Sequence, residues 1–167
     1  KVAAAPPLRQ RLFAFAEATG RAVFLAGQRG EKPSFWLSLK YSLADRLVLS
    51  AVRAGVGGRV RIAVSGGAAL PKEIGTFFGS IGLPILEGYG LTETSPVISV
   101  NTPWANRQGS VGRPIEGVEV RIAADGEILS RGPHIMRGYY NKPEATAEAI
   151  DAEGYFHTGD AGVFGDD

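Results

Sequence analysis

Cysteine is absent from this chain of 167 residues, and histidine occurs only twice. The first absence excludes disulfides, a thiolate nucleophile and cysteine-based zinc sites, and the second leaves little for a histidine-based metal site. Charge is nearly balanced, with 18 basic and 17 acidic residues. This balance gives no broad basic surface for nucleic acid and no acidic tract typical of disorder. The groups that remain for catalysis or ligand binding are oxygen-bearing side chains, backbone groups, lysine and arginine.

Long apolar runs are also lacking, since none reaches the length of a membrane span. The first residues, Lys1–Ala3, show no signal-peptide pattern. We therefore expect a cytoplasmic protein without stable membrane insertion. The chain starts at Lys1 instead of Met, and its last four residues, Phe164–Asp167, have the composition of a turn. We interpret it as an internal fragment of a longer chain.

Two helices are predicted in the first third of the chain. Apolar residues recur at intervals of three and four from Leu8 to Ala26, which indicates a helix. The second helix is predicted from Ser34 to Ala54, with Ser34 as N-cap and Gly55 as C-cap. We expect the two helices to pack on each other and the two tryptophans to be packing residues. The apolar face predicted for the second helix consists of Phe35, Leu39, Leu43, Leu47 and Val48.

The middle of the chain has the pattern of a βαβ unit. A strand is predicted at Val60–Val64, a helix from Leu70 to Gly82, and a second strand at Leu83–Glu87. This order implies parallel strands and an α/β fold. We assign residues 1–105 to an α/β lobe with a helical N-terminal segment.

The last third of the chain has the pattern of a small β lobe, which we assign to residues 106–167. Strands are predicted at Val118–Ile122 and Glu127–Arg131, joined by a hairpin turn at Asp125-Gly126. A short helix is predicted at Pro143–Ile150.

Glycine makes up 23 of the 167 residues, about twice the usual share of roughly 7%. Two glycine-rich loops, Ser65–Ala69 and Gly88–Glu93, follow the two parallel strands, at the edge where α/β sheets bind ligands. In the second loop, Tyr89 could stack on a base, Thr92 could bind a phosphate oxygen and Glu93 could bind Mg²⁺. The alternative is that both loops are tight turns and Tyr89 is a core aromatic; spacing alone leaves both open.

The segment Glu87–Thr94, Glu-Gly-Tyr-Gly-Leu-Thr-Glu-Thr, resembles the core motif of the adenylate-forming (AMP-binding) superfamily. Long-chain fatty acid CoA ligases are the most similar group, because the helical stretch with Ala44–Val48 and Val56–Arg59 resembles the region before their Ser-Gly-Gly-Ala segment. Further motifs occur in the family's order at Ser65–Leu70, Gly109–Pro114, Gly126–Ile128, Arg131–Pro133, Met136–Tyr140 and Tyr155–Asp160.

The resemblance implies part of the large N-terminal domain of an acyl-CoA synthetase, followed by a small β-barrel-like lobe. It also implies a two-step reaction. A carboxylate attacks the α-phosphate of ATP to give acyl-AMP and pyrophosphate, and the thiol of CoA then displaces AMP. ATP, Mg²⁺, CoA and a fatty acid are the implied cofactors and partners. Because the acyl substrate is amphiphilic, transient membrane contact is compatible with this function.

The resemblance also assigns roles to individual residues. Thr92 would hold the α-phosphate and Glu93 would bind Mg²⁺, which makes these two the catalytic candidates. Asp160 would bind the ribose hydroxyls. Gly67 and Ala68 would lie along the adenine. The wall between adenine and acyl chain would consist of Glu87, Gly88, Tyr89 and Gly90.

Two parts of the family pattern have no counterpart in this sequence. The first is the lysine-bearing phosphate loop, which precedes this region in the family. The second is the hinge together with the C-terminal domain and its catalytic lysine. The small β lobe would be truncated before that hinge. We therefore expect the fragment alone to be inactive. The alternatives are a ligase for aryl or amino acids and a non-catalytic nucleotide-binding module; the sequence gives no oligomeric state.

Overall fold

The structure, a computed structural model, describes residues 6–165. The interpretations of Lys1–Ala3, and of Asp166 and Asp167 as part of a terminal turn, concern residues outside that range. The described chain forms two compact units. Unit 1 contains the residues up to Glu87 together with Thr102–Ser110, and unit 2 contains Gly88–Asn101 together with the residues from Val111 onward. The division into lobes at residues 105 and 106 stays a prediction.

Both predicted helices are present in unit 1. Helix α1 is Pro7–Gln28. The second begins as predicted, with the Ser34 hydroxyl accepting a hydrogen bond from the Leu37 N–H at 3.3 Å. It runs as α2, Phe35–Ala44, through a π-helical turn, Asp45–Leu49, into α3, Ser50–Ala54. Within residues 6–165, no helix combines the length and apolarity needed to cross a membrane.

The predicted packing face of the second helix is wrong for four of its five residues, and only Val48 packs against the core. Phe35, Leu39, Leu43 and Leu47 are all more than half exposed, at 53–75%. The core of unit 1 instead contains Ala16, Ala44, Leu49, Ile81 and Leu83. Tyr41, Val48 and Val52 pack against this core, so the buried face keeps a helical spacing but lies on a different side from the exposed leucines. The two helices do pack on each other, as expected.

The tryptophans are also not packing residues. Trp36 is 69% exposed and Trp104 is 86% exposed. Trp36 lies beside Phe35 on the exposed side of α2, and its ring meets the Phe35 ring edge-to-face with centroids 5.5 Å apart. Burial of large aromatics is only a tendency, and here the small residues Ala16 and Ala44 occupy the core positions.

The predicted βαβ unit is confirmed, with strands that begin later than expected. Strand β1 is Ala63–Ser65, α4 is Lys72–Ser80 and β2 is Ile85–Tyr89. The strands are parallel, with Ala63 opposite Ile85 and Ser65 opposite Glu87. The predicted strand residues Val60–Ile62 therefore lie before β1. The parallel pair places the Ser65–Leu70 loop and the end of β2 at the same edge.

Unit 2 is built from short antiparallel pairings. Gly88 and Tyr89, the last residues of β2, pair with β3, Ser99–Val100, which pairs with β4, Arg113–Pro114. A three-stranded sheet follows the order β5, Glu119–Ile122, β6, Glu127–Arg131, and β7, Phe156–Ala161.

The predicted hairpin joins β5 to β6. Gly126, at φ 93°, supplies the left-handed backbone that the Asp125-Gly126 turn requires. The predicted short helix is α5, Pro143–Ala149. Closure of this sheet into a barrel-like lobe stays a prediction.

Candidate functional site

In unit 1, the candidate residues lie in and beside the loop between β1 and α4. Gly67 and Ala68 are exposed, and Gly67 has φ +83°. The side chain of Glu87 is buried, with 7% of the residue exposed. Its Oε1 accepts the Leu70 N–H at 3.2 Å and its Oε2 accepts the Gly109 N–H at 3.3 Å. One carboxylate therefore joins the end of the Gly67–Ala68 loop to the segment at Gly109.

In unit 2, the structure brings two candidates together that are 71 residues apart in sequence. The Tyr89 hydroxyl donates a hydrogen bond to Asp160 Oδ2 at 2.8 Å. Burial raises the pKa of Tyr89 to about 12, so its hydroxyl keeps its proton at neutral pH. Asp160 is exposed on β7. Tyr89 is thus partly buried and at the same time holds a candidate ligand group.

The glycines on either side of Tyr89 allow close backbone approach. Gly88 pairs with Val100 across the antiparallel ladder. A Cβ at Gly90 would overlap the backbone oxygen of Pro96. The course of the chain through this loop therefore depends on glycine at position 90.

Thr92 and Glu93 lie in a single 3₁₀ turn, Thr92–Thr94. The turn is closed by Thr94, whose fully buried Oγ1 both accepts the Leu91 N–H and donates to the Leu91 carbonyl, each at 2.9 Å. Thr92 is exposed and Glu93 is half-buried. Glu93 Oε1 accepts a hydrogen bond from the Tyr139 hydroxyl at 2.9 Å, and this bond raises the pKa of Tyr139.

The sequence did not predict these contacts. Tyr139 belongs to a motif segment, but nothing in its spacing indicates that its hydroxyl reaches a carboxylate 46 residues earlier. The buried bonds of Glu87 had one available signal, an acidic residue at the end of the apolar segment Leu83–Leu86. A further contact supports the Asp160 region, because Glu127 accepts the Gly159 N–H at 2.8 Å and meets His157 Nδ1 at 2.8 Å.

The donor set restricts which metal these residues could hold. Across residues 6–165, no three or more His, Cys, Asp or Glu side chains are grouped to hold a metal ion by themselves. The Glu93 carboxylate is a single hard oxygen donor beside the exposed Thr92 hydroxyl. Mg²⁺ commonly binds through one or two carboxylates together with substrate phosphates. Glu93 therefore fits Mg²⁺ brought by a nucleotide.

Comparison with known proteins identifies the family. The family model described as AMP-binding enzyme matches residues 3–140. The chain belongs to the AMP-binding enzyme family. The matched range includes both glycine-rich loops and Glu93, and Asp160 lies beyond it.

Fatty-acid ligases are among the relatives that are similar to this chain in sequence. Long-chain-fatty-acid–CoA ligase FadD15 of Mycobacterium bovis is 43% identical over 157 residues, which cover 94% of this chain and 26% of the relative. Long chain acyl-CoA synthetase 7, peroxisomal, of Arabidopsis thaliana is 35% identical over 94% of this chain and 23% of its own length. The chain thus spans about a quarter of each relative.

The fold agrees with this family. A solved structure of O-succinylbenzoate coenzyme A synthetase (MenE) from Bacillus subtilis, in complex with ATP and magnesium ion, superposes with a TM-score of 0.57 at 29% identity. The match covers 64% of this chain and 24% of that chain. The chain is therefore a mixed α/β part of an adenylate-forming enzyme fold.

Proposed function

We propose that this chain is part of the large N-terminal domain of an ATP-dependent long-chain fatty-acid–CoA ligase. The observation that carries the proposal is the 43% identity to FadD15 along 94% of the chain. Fatty-acid ligases of two organisms match along 94% of the chain, which favours a fatty acid over an aryl acid as substrate. The enzyme would form acyl-AMP and pyrophosphate from ATP and then transfer the acyl group to CoA.

The adenine side of the site would be formed by exposed backbone. Gly67 and Ala68 would lie along the adenine, since their loop is exposed and carries no large side chain. The wall between adenine and acyl chain would run along Glu87, Gly88, Tyr89 and Gly90. Because the Glu87 carboxylate is buried against the Leu70 and Gly109 N–H groups, this residue would contribute backbone to the wall.

Asp160 would accept hydrogen bonds from the ribose hydroxyls. Its carboxylate is exposed, and the Tyr89 hydroxyl occupies Oδ2. The geometry supports this role because a carboxylate accepts several hydrogen bonds, and Tyr89 would orient the group so that Oδ1 could accept from the ribose. The aromatic ring of Tyr89 would lie beside the same nucleotide.

Thr92 and Glu93 would act on the phosphates. The exposed Thr92 hydroxyl would donate to the α-phosphate, and Glu93 would hold Mg²⁺. When bound, Mg²⁺ supplies positive charge to the phosphate oxygens as pyrophosphate leaves. The buried Thr94 holds the 3₁₀ turn in place, so the backbone that carries the Thr92 and Glu93 side chains has a fixed position.

Two broader features complete the proposal. We divide the chain into an α/β lobe, residues 1–105, and a β lobe, residues 106–167, that is barrel-like in the whole enzyme. We place the enzyme in the cytoplasm, with transient membrane contact to collect its amphiphilic substrate.

The test is acyl-CoA formation and pyrophosphate release by the full-length protein that contains this chain. We expect a long-chain fatty acid to react faster than an aryl acid or an amino acid. Glu93→Ala should lower the rate by about 10² to 10³, the usual effect of losing one group that stabilises transition-state charge. Glu148→Ala, at an exposed position on α5, is the matched control and should keep full activity.

Two outcomes would contradict the proposal. Preference for an aryl or amino acid would move the enzyme to another acid class, and binding of ATP without any acyl-AMP formation would favour a non-catalytic module. We further expect the 167-residue chain alone to release no pyrophosphate above its own Glu93→Ala control.

A further inference from the structure

Glu93 is contacted twice by one short segment of unit 2. The Met136 N–H donates to the Glu93 carbonyl oxygen at 2.7 Å. The Tyr139 hydroxyl donates to Glu93 Oε1 at 2.9 Å. The main chain and the carboxylate of Glu93 are therefore both fixed by residues 136–139, which lie far from it in sequence.

Tyr139 is itself held firmly by helix α5. The Tyr139 N–H donates to Thr146 Oγ1 at 2.9 Å, and the Thr146 hydroxyl in turn donates to the Lys142 carbonyl oxygen at 2.9 Å. The preceding Gly138 packs closely here, because a Cβ at this position would lie 2.8 Å from Thr146 Cγ2. The backbone that carries Tyr139 therefore has a defined position, and so does its hydroxyl.

The neighbouring tyrosine shows that this contact is specific to one residue. Tyr140 is 91% exposed, and over residues 6–165 no hydrogen bond of its hydroxyl is found. Tyr139 is 37% exposed and points its hydroxyl at a single carboxylate oxygen. Two adjacent side chains of the same type thus differ in whether they touch Glu93.

We propose that Tyr139 is a positioning residue for Glu93, and that its hydroxyl fixes Oε1 so that Oε2 faces the Mg²⁺ that accompanies ATP. This inference rests on the metal role proposed above for Glu93. The last torsion of a glutamate side chain is broad, so an unheld carboxylate samples many orientations. A donor that holds one oxygen reduces the freedom lost when the other oxygen binds a cation. Hydrogen-bond partners of metal ligands commonly change metal affinity by 10- to 100-fold.

The test is the metal enhancement of nucleotide binding by the full-length protein. The dissociation constant of α,β-methylene ATP, which cannot be cleaved between the α- and β-phosphates, is measured by calorimetry in EDTA and in Mg²⁺. The ratio of the two values is the enhancement. We expect Tyr139→Phe to lower it by about tenfold while the value in EDTA and the melting temperature stay unchanged. Tyr140→Phe is the matched control and should behave as wild type.

A double mutant tests whether Tyr139 acts through Glu93. Glu93→Gln should lower the enhancement by itself, and Tyr139→Phe in that background should add nothing, because coupled residues are not additive. An additive loss would overturn the inference. An unchanged enhancement in Tyr139→Phe would also overturn it, as would a loss confined to binding in EDTA.

The failure of this inference can be told from a failure of the proposed function. If Glu93→Gln keeps the full enhancement, Glu93 does not hold the metal and the role of Tyr139 is overturned. Fatty acyl-CoA formation by the wild-type protein in the same preparation reports the ligase function independently of that result.

Discussion

Gly20→Ala tests how closely helices α1 and α4 pack in unit 1. Gly20 lies inside α1, where helix propensity alone predicts that alanine would raise stability by about 1 kcal/mol. The structure predicts the opposite, because a Cβ at this position would overlap the backbone oxygen of Ser80 on α4. Ser80 is completely buried, and a backbone oxygen cannot move unless its helix moves. The two helices would therefore have to separate.

The expected magnitude follows from two opposing effects. Overpacking of a well-filled core costs about 1–3 kcal/mol, and the backbone position of the obstacle places this site at the upper end. Subtracting the propensity gain of about 1 kcal/mol leaves a net loss of about 2 kcal/mol in the free energy of unfolding. For a chain of this size, that loss corresponds to a decrease in melting temperature of about 4–8 °C. Urea unfolding and thermal melting both measure it.

Gly27→Ala is the matched control on the same helix. A Cβ at Gly27 would meet no atom within 4 Å, so only the propensity gain of up to about 1 kcal/mol should remain. The two substitutions are chemically identical and should have opposite signs. If Gly20→Ala is as stable as Gly27→Ala, the close approach of α1 and α4 is refuted.

Three further predictions concern other parts of the molecule. Glu87→Gln should lower the free energy of unfolding by about 1–3 kcal/mol in urea titrations, because a buried charged acceptor is lost and the amide NH₂ would face one of the two N–H groups that the carboxylate accepts; a neutral result would contradict the double contact. Tyr89 should ionise near pH 12 in an ultraviolet titration. Because its pKa is higher than the usual value of about 10, its contribution to the free energy of unfolding should be complete below about pH 10 and lost as the pH rises toward 12. In Tyr89→Phe this decrease in stability between pH 10 and 12 should disappear. Leu43→Lys on exposed α2 should change the free energy of unfolding by less than about 0.5 kcal/mol in urea titrations, whereas Leu49→Lys, at a fully buried position, should unfold unit 1.

Local signals in the sequence were sufficient to predict most elements of the fold. The Ser34 cap, the Asp125-Gly126 turn and the strand-helix-strand order each gave the element that the structure shows. The packing face of α2 could not be predicted in the same way. It depends on which side of the helix its neighbours cover: Tyr41, Ala44 and Val48 pack into the core at helical spacing, and the periodic leucines lie on the exposed side.

The site was predicted as a set of residues but not as a set of contacts. The motif around Glu93 and the segment around Asp160 were recognised separately, each as a possible ligand group. Their partners lie 46 and 71 residues away, and sequence spacing carries no information about such pairs. The bonds of the Glu87 carboxylate were missed for a related reason, because Leu70 and Gly109 lie 17 and 22 residues away in sequence.

The two tyrosine contacts in unit 2 share a physical logic. Tyr89 donates to one oxygen of Asp160, and Tyr139 donates to one oxygen of Glu93. A phenol is a neutral donor, so it orients a carboxylate without cancelling its charge. Lysine or arginine in the same place would neutralise the carboxylate and weaken its attraction for a cation. For the metal role proposed for Glu93, a tyrosine donor would orient the carboxylate and leave its negative charge to attract the cation.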